Sequence, residues 1–414
     1  YIPYPLNSGG NQAVFNMLSA MIEKNEVHIL LRVKTNEDYD LTTQLQTALP
    51  DLRIHICDER ASNQADKNAN DNNANNEIRY TLTMRIFDFL RKSMTRKIER
   101  RKRKLIKKTM SAKSALQNEN AINKTESPKD SHKVVVRHYT TLYNFAPEYP
   151  AQYLKSVFDT SREGFDVIQC EFYETLELVS LLPQNAKKVF VHHELRYIRN
   201  NNEMELFDQI TPQDIFTYNQ LKDVEFACLQ HYDVVVTLTE TDKELLLKER
   251  PNLNIYVSPA IVKYEDRPLD FTPLGKELVF VGSANHFPNY DGLIWYCTKV
   301  APLLKTLGEE PQLHVTGLWQ NEKRDLILKT GANVVFEGFV DDLHAYLNGK
   351  LSIVPIRIGS GMRMKILDAI DSASPIISTS KGCEGLDLQN GIDAYVCNTP
   401  QDFAQHIAKV LGNE

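Results

Sequence analysis

At 414 residues the chain is too long for one ordinary hydrophobic core and suits two domains with some decoration. Apolar residues make up 42% and charged residues 25%, as in a globular protein, and no run approaches the roughly 20 apolar residues that span a bilayer. The net charge of −6 excludes a generic nucleic-acid binder, because the basic charge is confined to one short segment and its partner should be equally local.

Tyr1 opens onto a Pro-rich turn rather than the apolar core of a secretory signal, and the stub Tyr1-Ile2 before Pro3 reads as the remnant of a trimmed first strand. The stretch Tyr4 to Gly10 leads into a helical pattern from Asn11 to Ile22, and the pair Gly9-Gly10 allows a close backbone approach. Strand-length apolar runs follow at Val27–Leu31 and Leu52–Cys57. Asp38-Tyr39-Asp40, the chain's Asp-x-Asp, lies in a polar stretch well past its strand and reads as solvated surface.

From about residue 61 to 132 the alternation breaks. An Asn tract (Asn68, Asn70, Asn72, Asn73, Asn75, Asn76) cannot bury a core. After it, Phe87, Leu90, Met94 and Ile98 recur at helical spacing. Residues 79 to 108 hold thirteen Lys or Arg against Asp88 and Glu99, a net +11, so the rest of the chain carries −17. This predicts a flexible insertion with one basic amphipathic helix, suited to an anionic membrane surface. A solvated charged face, a disordered arm or a nucleic-acid contact are its weaker readings.

Further strands are predicted at Val167–Phe172, Val189–His192, Val234–Leu238 and Ile255–Val257, then at Leu278–Val281, Leu313–Thr316, Val334–Glu337, Leu351–Pro355, Pro375–Ser378 and Ala394–Cys397. Near-continuous Val/Ile/Leu/Phe runs alternating with helices imply parallel strands covered on both faces. Two sets of about six such strands predict two doubly wound domains. Expected boundaries are 1–257 for the first, 258–272 for a linker, 273–398 for the second, and 399–414 for a C-terminal helix packing back toward the first. The six cysteines stand far apart, without metal-ligand spacing, and read as reduced thiols of a cytoplasmic protein.

Chemistry concentrates in Gly359 to Ile370. A Gly-rich turn follows a buried strand and opens a helix, aiming free N–H groups and the positive end of the helix dipole at an anion. Arg363 and Lys365 add cations for a diphosphate, and Asp368, about a turn on, can accept from ribose hydroxyls. In the first half, Val189-Phe190-Val191 ends in His192-His193-Glu194, then Arg196 and Arg199, and strand C-termini in open sheets face the crevice. Glu171 is a weaker candidate of the same kind. Thr239 to Asp242 reads first as a helix cap.

In order, Phe280-Val281-Gly282-Ser283, Pro288-Asn289, Gly317, Gly338 to Leu343, Gly359 to Asp368, and Gly382 with Glu384-Gly385-Leu386 resemble the donor-binding domain of retaining glycosyltransferases of family 4. The resemblance covers about residues 278 to 412 and implies an α/β protein of GT-B fold, two Rossmann-like domains facing a central cleft. It implies Val340 beside a nucleotide base, Asp368 at the ribose, Gly282 and Ser283 lining the donor site, and Gly359, Ser360, Gly361 and Met362 near the sugar and β-phosphate. Gly9 and Gly10 resemble the loop that closes over the donor phosphates. His193, preferred to His192 because it directly precedes the acid, resembles the cleft histidine. The family commonly carries two acids eight residues apart; here Asp368 replaces the second and Ser360 stands where the first would be. Arg363 and Lys365 also stand in for an Arg and Lys often found near Gly282 to Asn289.

The implied reaction moves a sugar from a nucleoside diphosphate sugar to an acceptor hydroxyl, with retention, and with no metal or other cofactor. The expected acceptor is a glycan or lipid-linked precursor, and the expected place is the cytoplasmic face of the cell membrane. A nucleotide-sugar epimerase on the same fold and a non-catalytic nucleotide-sugar-binding scaffold are the rival readings.

Overall fold

The computed structural model describes residues 2–6, 9–60, 140–144, 147–261 and 272–412; the Asn tract and the basic helix expected at 79–108 lie outside the described residues. The strands are β1 His28–Val33, β2 Arg53–Asp58, β3 Val167–Glu171, β4 Lys187–His192, β5 Val234–Thr237 and β6 Ile255–Val257 in the first half. The second half holds β7 Leu278–Val281, β8 Leu313–Thr316, β9 Val334–Gly338, β10 Leu351–Val354, β11 Ile376–Ser378 and β12 Tyr395–Val396. Every predicted apolar run is a strand, with ends shifted by a residue or two. All ladders between named strands are parallel. The buried cores of β4, β7 and β10 show why these runs are continuous: helices cover both faces, so no position alternates to water.

The second half forms one six-stranded sheet in the order β12-β11-β10-β7-β8-β9. Counted within that half, the order is 6-5-4-1-2-3, that of a doubly wound dinucleotide-binding sheet. The first half differs from the single six-stranded sheet expected: β1-β2 form a pair and β3-β4-β5-β6 a separate four-stranded sheet. The two are joined by side chains instead of a ladder, with Phe172 packed on the β1-β2 core and Leu30 on the core of the larger sheet.

Helix starts follow the capping chemistry of the sequence. Thr35 and Asp38 close a capping box on Asn36–Ala48, so Asp38 is a cap and not half of a metal-binding pair. Thr211 with Asp214 does the same for Pro212–Leu229, and Thr239 caps Glu240–Glu249. Where the chain re-enters at Thr140, the fully buried Glu203 accepts from the Thr140 hydroxyl (2.6 Å), the Thr141 N–H (2.7 Å) and Arg199 Nε (3.0 Å). Leu142, Met204 and Phe207 from the first half are buried in the core of the second. The C-terminal helix Pro400–Leu411 lies on the second half and not toward the first, because Phe403 and Ile407 join the core of that half, Phe403 edge-on to Trp295 at 5.5 Å.

Candidate active site

In a sheet of this order the crevice opens at the C-terminal ends of the two strands where the winding reverses, here β7 and β10. Both are followed by glycine turns. After β7, Gly282 has φ +150°, and a Cβ there would run into the Asn289 side chain. Its carbonyl accepts from Trp319 Nε1 at 2.8 Å. Asn289 then joins the two turns: its amide donates to the Ser283 carbonyl at 2.9 Å, and its oxygen accepts from Lys365 Nζ at 2.7 Å. The Lys365 ammonium also lies 4.4 Å above the Phe280 ring.

After β10, Gly361 has φ +80°, and a Cβ would collide with the carbonyl oxygen of His193. The turn is thus pressed against the end of β4 in the other half. Ser360, fully buried, accepts from the Leu195 N–H at 2.7 Å, and the Gly359 N–H donates to Asn202 at 3.2 Å. The Ser360 hydroxyl is therefore a latch between the halves. Arg363 folds back onto the turn, donating to the carbonyls of Ser360 and Ile358. Burial lowers its pKa, offset by Glu194, Glu384 and Asp242. Its Nε is buried without a partner among the described residues.

The two histidines have different surroundings. His192 is 1% exposed and its Nε2 meets Glu225, itself fully buried, at 2.8 Å; Glu225 also accepts from the N–H groups of Arg196 and Tyr197. His192 is thus a structural residue that orients a cap. His193 is partly exposed, stacks on Phe172 with ring centroids 4.1 Å apart, and meets Glu171 at 2.6 Å. Phe172 holds a left-handed backbone (φ +67°), uncommon for an aromatic residue.

Sequence reading underweighted Glu194. Burial pushes its carboxyl up, but Arg199, then His286 and Arg196, hold it well below the usual carboxylate range. One oxygen takes Arg199 at 2.8 Å and faces His286 at 3.9 Å. The other is buried beside Gly359 with no donor among the described residues. Only its place directly after His193 signalled it; His286, 92 residues away in the chain, gave no signal at all.

Residues 275–413 match the family described as glycosyl transferases group 1. The second half thus resembles a group 1 glycosyltransferase domain. A relative from Klebsiella pneumoniae, an uncharacterized 44.6 kDa protein in the cps region, is 30% identical over 146 residues, covering 33% of this chain and 37% of the relative. A solved structure of an S. aureus TarM mutant, in complex with fondaparinux, α-GlcNAc-glycerol and UDP, aligns with a TM-score of 0.51 at 15% identity over 63% of this chain and 52% of that one. At that identity the likeness speaks for the fold, which is GT-B. The chain spans about half the length of that solved structure and little more than a third of the curated relative.

Within the second half, Met364 opens the helix Met364–Asp371 and touches the first half: a Cβ on Gly9 would lie 2.7 Å from its side chain. Gly9-Gly10, which begin the helix Gly9–Ile22, therefore abut the turn that carries Arg363 and Lys365. Met362 is half-buried in the same turn, and Val340 is half-buried just past β9, next to the exposed Phe339. Asp342 caps the helix Leu343–Leu347 by accepting from the Ala345 N–H at 2.9 Å. Burial, and then repulsion from Arg363, bring the Lys365 pKa down to about 7, with Asp368 opposing. Burial raises Asp368 to about 6, with Lys365 opposing and Asp371 adding. The structure thus brings His193, Gly9, Gly282, Ser283, Gly359, Gly361, Arg363 and Lys365 to one crevice between the halves.

Proposed function

We propose that the chain transfers a sugar from a nucleoside diphosphate sugar to an acceptor hydroxyl, with retention of configuration. The observation that carries this reading is the junction of two glycine turns at the β7/β10 switch point, with Lys365 held between them by Asn289. A diphosphate there meets the N–H groups opening Met364–Asp371 and the charges of Arg363 and Lys365, which oppose the negative charge growing on the departing phosphate. Bound phosphate raises the Lys365 pKa and keeps it an ammonium. These groups do the work of charge stabilisation without a metal. Asp368 accepts from the ribose, Val340 lies against the base, and Gly9-Gly10 close the phosphate end. His193, oriented by Glu171, faces the transferred sugar. The match at residues 275–413 supports the reading, and the TarM complex carries UDP. The acceptor is a glycan or lipid-linked precursor, met at the cytoplasmic face of a membrane.

A thermal-shift screen of nucleotide sugars identifies the donor, since a ligand that binds the folded state raises its melting temperature. With that donor, the pair Arg363→Gln and Lys365→Met should lower kcat by about 100-fold or more while the melting curve stays cooperative. Undiminished transfer overturns the assignment. Conversion of donor without any acceptor replaces it with an epimerase.

A further inference from the structure

Far from the crevice, two histidines and two carboxylates line up at the start of the first sheet. His28 begins β1, and the ladder sets His28 beside Arg53 and Leu30 beside His55, so both rings share one face. The rings stack with centroids 5.1 Å apart, and His28 Nδ1 lies 2.8 Å from His55 Nε2. Phe165 packs edge-on against His28 at 5.0 Å. The line continues at both ends: Glu26 is 3.3 Å from His28 Nε2, and Glu163 is 3.7 Å from His55 Nδ1. The two imidazoles are mostly buried, 18% and 26% exposed.

Counting hydrogens shows what this line lacks. Glu26 to His28 and His28 to His55 are hydrogen-bonded junctions, whereas Glu163 stands 3.7 Å from His55 Nδ1, beyond hydrogen-bond reach. Two neutral imidazoles own one N–H each, and both are spent on those two junctions, because carboxylates only accept. The His55 Nδ1 lone pair then faces the Glu163 carboxylate, and a gap between two acceptors suits a cation, a proton or a metal ion. One donor atom from each of His28, His55 and Glu163 lies within 4.8 Å of the other two. Two imidazoles and a carboxylate make a donor set of the zinc class, with bonds of about 2.0–2.2 Å. Donors around a tetrahedral ion of that size stand roughly 3.3 Å apart, so the 3.7 Å gap between His55 Nδ1 and Glu163 closes on it with a sub-ångström movement.

We propose that His28, His55 and Glu163 bind one transition-metal dication of the zinc class, with a water in the fourth position. It clamps β1, β2 and the turn after the helix Ala151–Thr160. The site sits at the N-terminal end of β1, whereas the glycine turns follow the C-terminal ends of β7 and β10, so its role is structural and separate from transfer. Residues 28, 55 and 163 are too far apart in the chain for any ligand spacing to reveal them.

The test uses the full chain stripped with a chelator and titrated with Zn2+ by calorimetry and with Co2+ by visible absorption. The wild type should bind one more equivalent of Zn2+ than Glu163→Gln or His55→Gln, and zinc should raise its melting temperature by a few degrees more than theirs, roughly. Co2+ should give the intense visible bands of a tetrahedral N/O site. Equal stoichiometry and equal thermal response in wild type and Glu163→Gln overturn the proposal, as do absent Co2+ bands in the wild type, a result that needs no variant to fold.

Discussion

Lys365 and Asp368 sit one turn apart on a half-buried helix, and burial weakens the charge of both, bringing them to about 7 and about 6. The proposed reaction needs both charged: the ammonium for the diphosphate, the carboxylate for the ribose. The pH profile of kcat/KM, which reports the free enzyme, should therefore fall on the alkaline side as Lys365 loses its proton above about 7. It should fall on the acid side as Asp368 gains one below about 6, and Asp368→Asn should remove that acid limb. Stability should run the other way. Lys365 is charged in the unfolded chain up to its ordinary value of 10.5, so stability rises with pH between about 7 and that value; for Asp368 it rises as pH falls from about 6 toward 3.8. Denaturant unfolding across pH measures both, and a profile flat from 5 to 9 sinks the two assignments. Arg363, Lys365 and Asp368 were legible in the sequence because all three lie on one short turn and helix. The roles of His192 and His193 were not. Both sit at the same strand end, and only Glu225, 33 residues later, explains why the first ring is buried and the second left facing outward.

At the scale of elements, the turn Gly359–Gly361 both shapes the crevice and fastens it to β4. Ser360→Ala leaves the buried Leu195 N–H without its acceptor, which costs about 1–3 kcal/mol. Gly361→Ala adds a Cβ against the His193 carbonyl at a positive φ and should cost more. Because the latch also sets the distance between His193 and the domain that carries Lys365, Ser360→Ala should raise KM for the donor as well. Urea unfolding and steady-state kinetics check the pair; a Ser360→Ala protein as stable as wild type contradicts the latch. The strands themselves were readable because parallel strands covered on both faces leave continuous apolar runs, as at Leu278–Val281. Their grouping was not. Which strand lies beside which depends on packing between elements far apart in sequence, and so the β1-β2 pair, split from β3, could not be foreseen from composition. The latch was hidden for the same reason, since the N–H that Ser360 accepts lies 165 residues away.

For the molecule as a whole, the uneven charge is the property that no single element explains. A segment of net +11 within a chain whose remainder carries −17 would be attracted to an anionic surface by forces that salt screens. No helix among the described residues is long and apolar enough to cross a membrane. Each basic residue near an anionic leaflet contributes on the order of 1 kcal/mol, and thirteen of them interleaved with Phe87, Leu90, Met94 and Ile98 are the basis for proposing that this segment lies on an anionic membrane surface. Co-sedimentation with vesicles rich in anionic lipid should therefore be strong at low salt and decline as salt is raised, and it should be weak with neutral vesicles at any salt. Deleting residues 79–108 leaves only the acidic remainder, which anionic lipid repels, so binding should be lost while transfer to a soluble acceptor analogue continues. Equal sedimentation of the deleted and full-length chains would remove the membrane from this account and leave the basic segment to another partner.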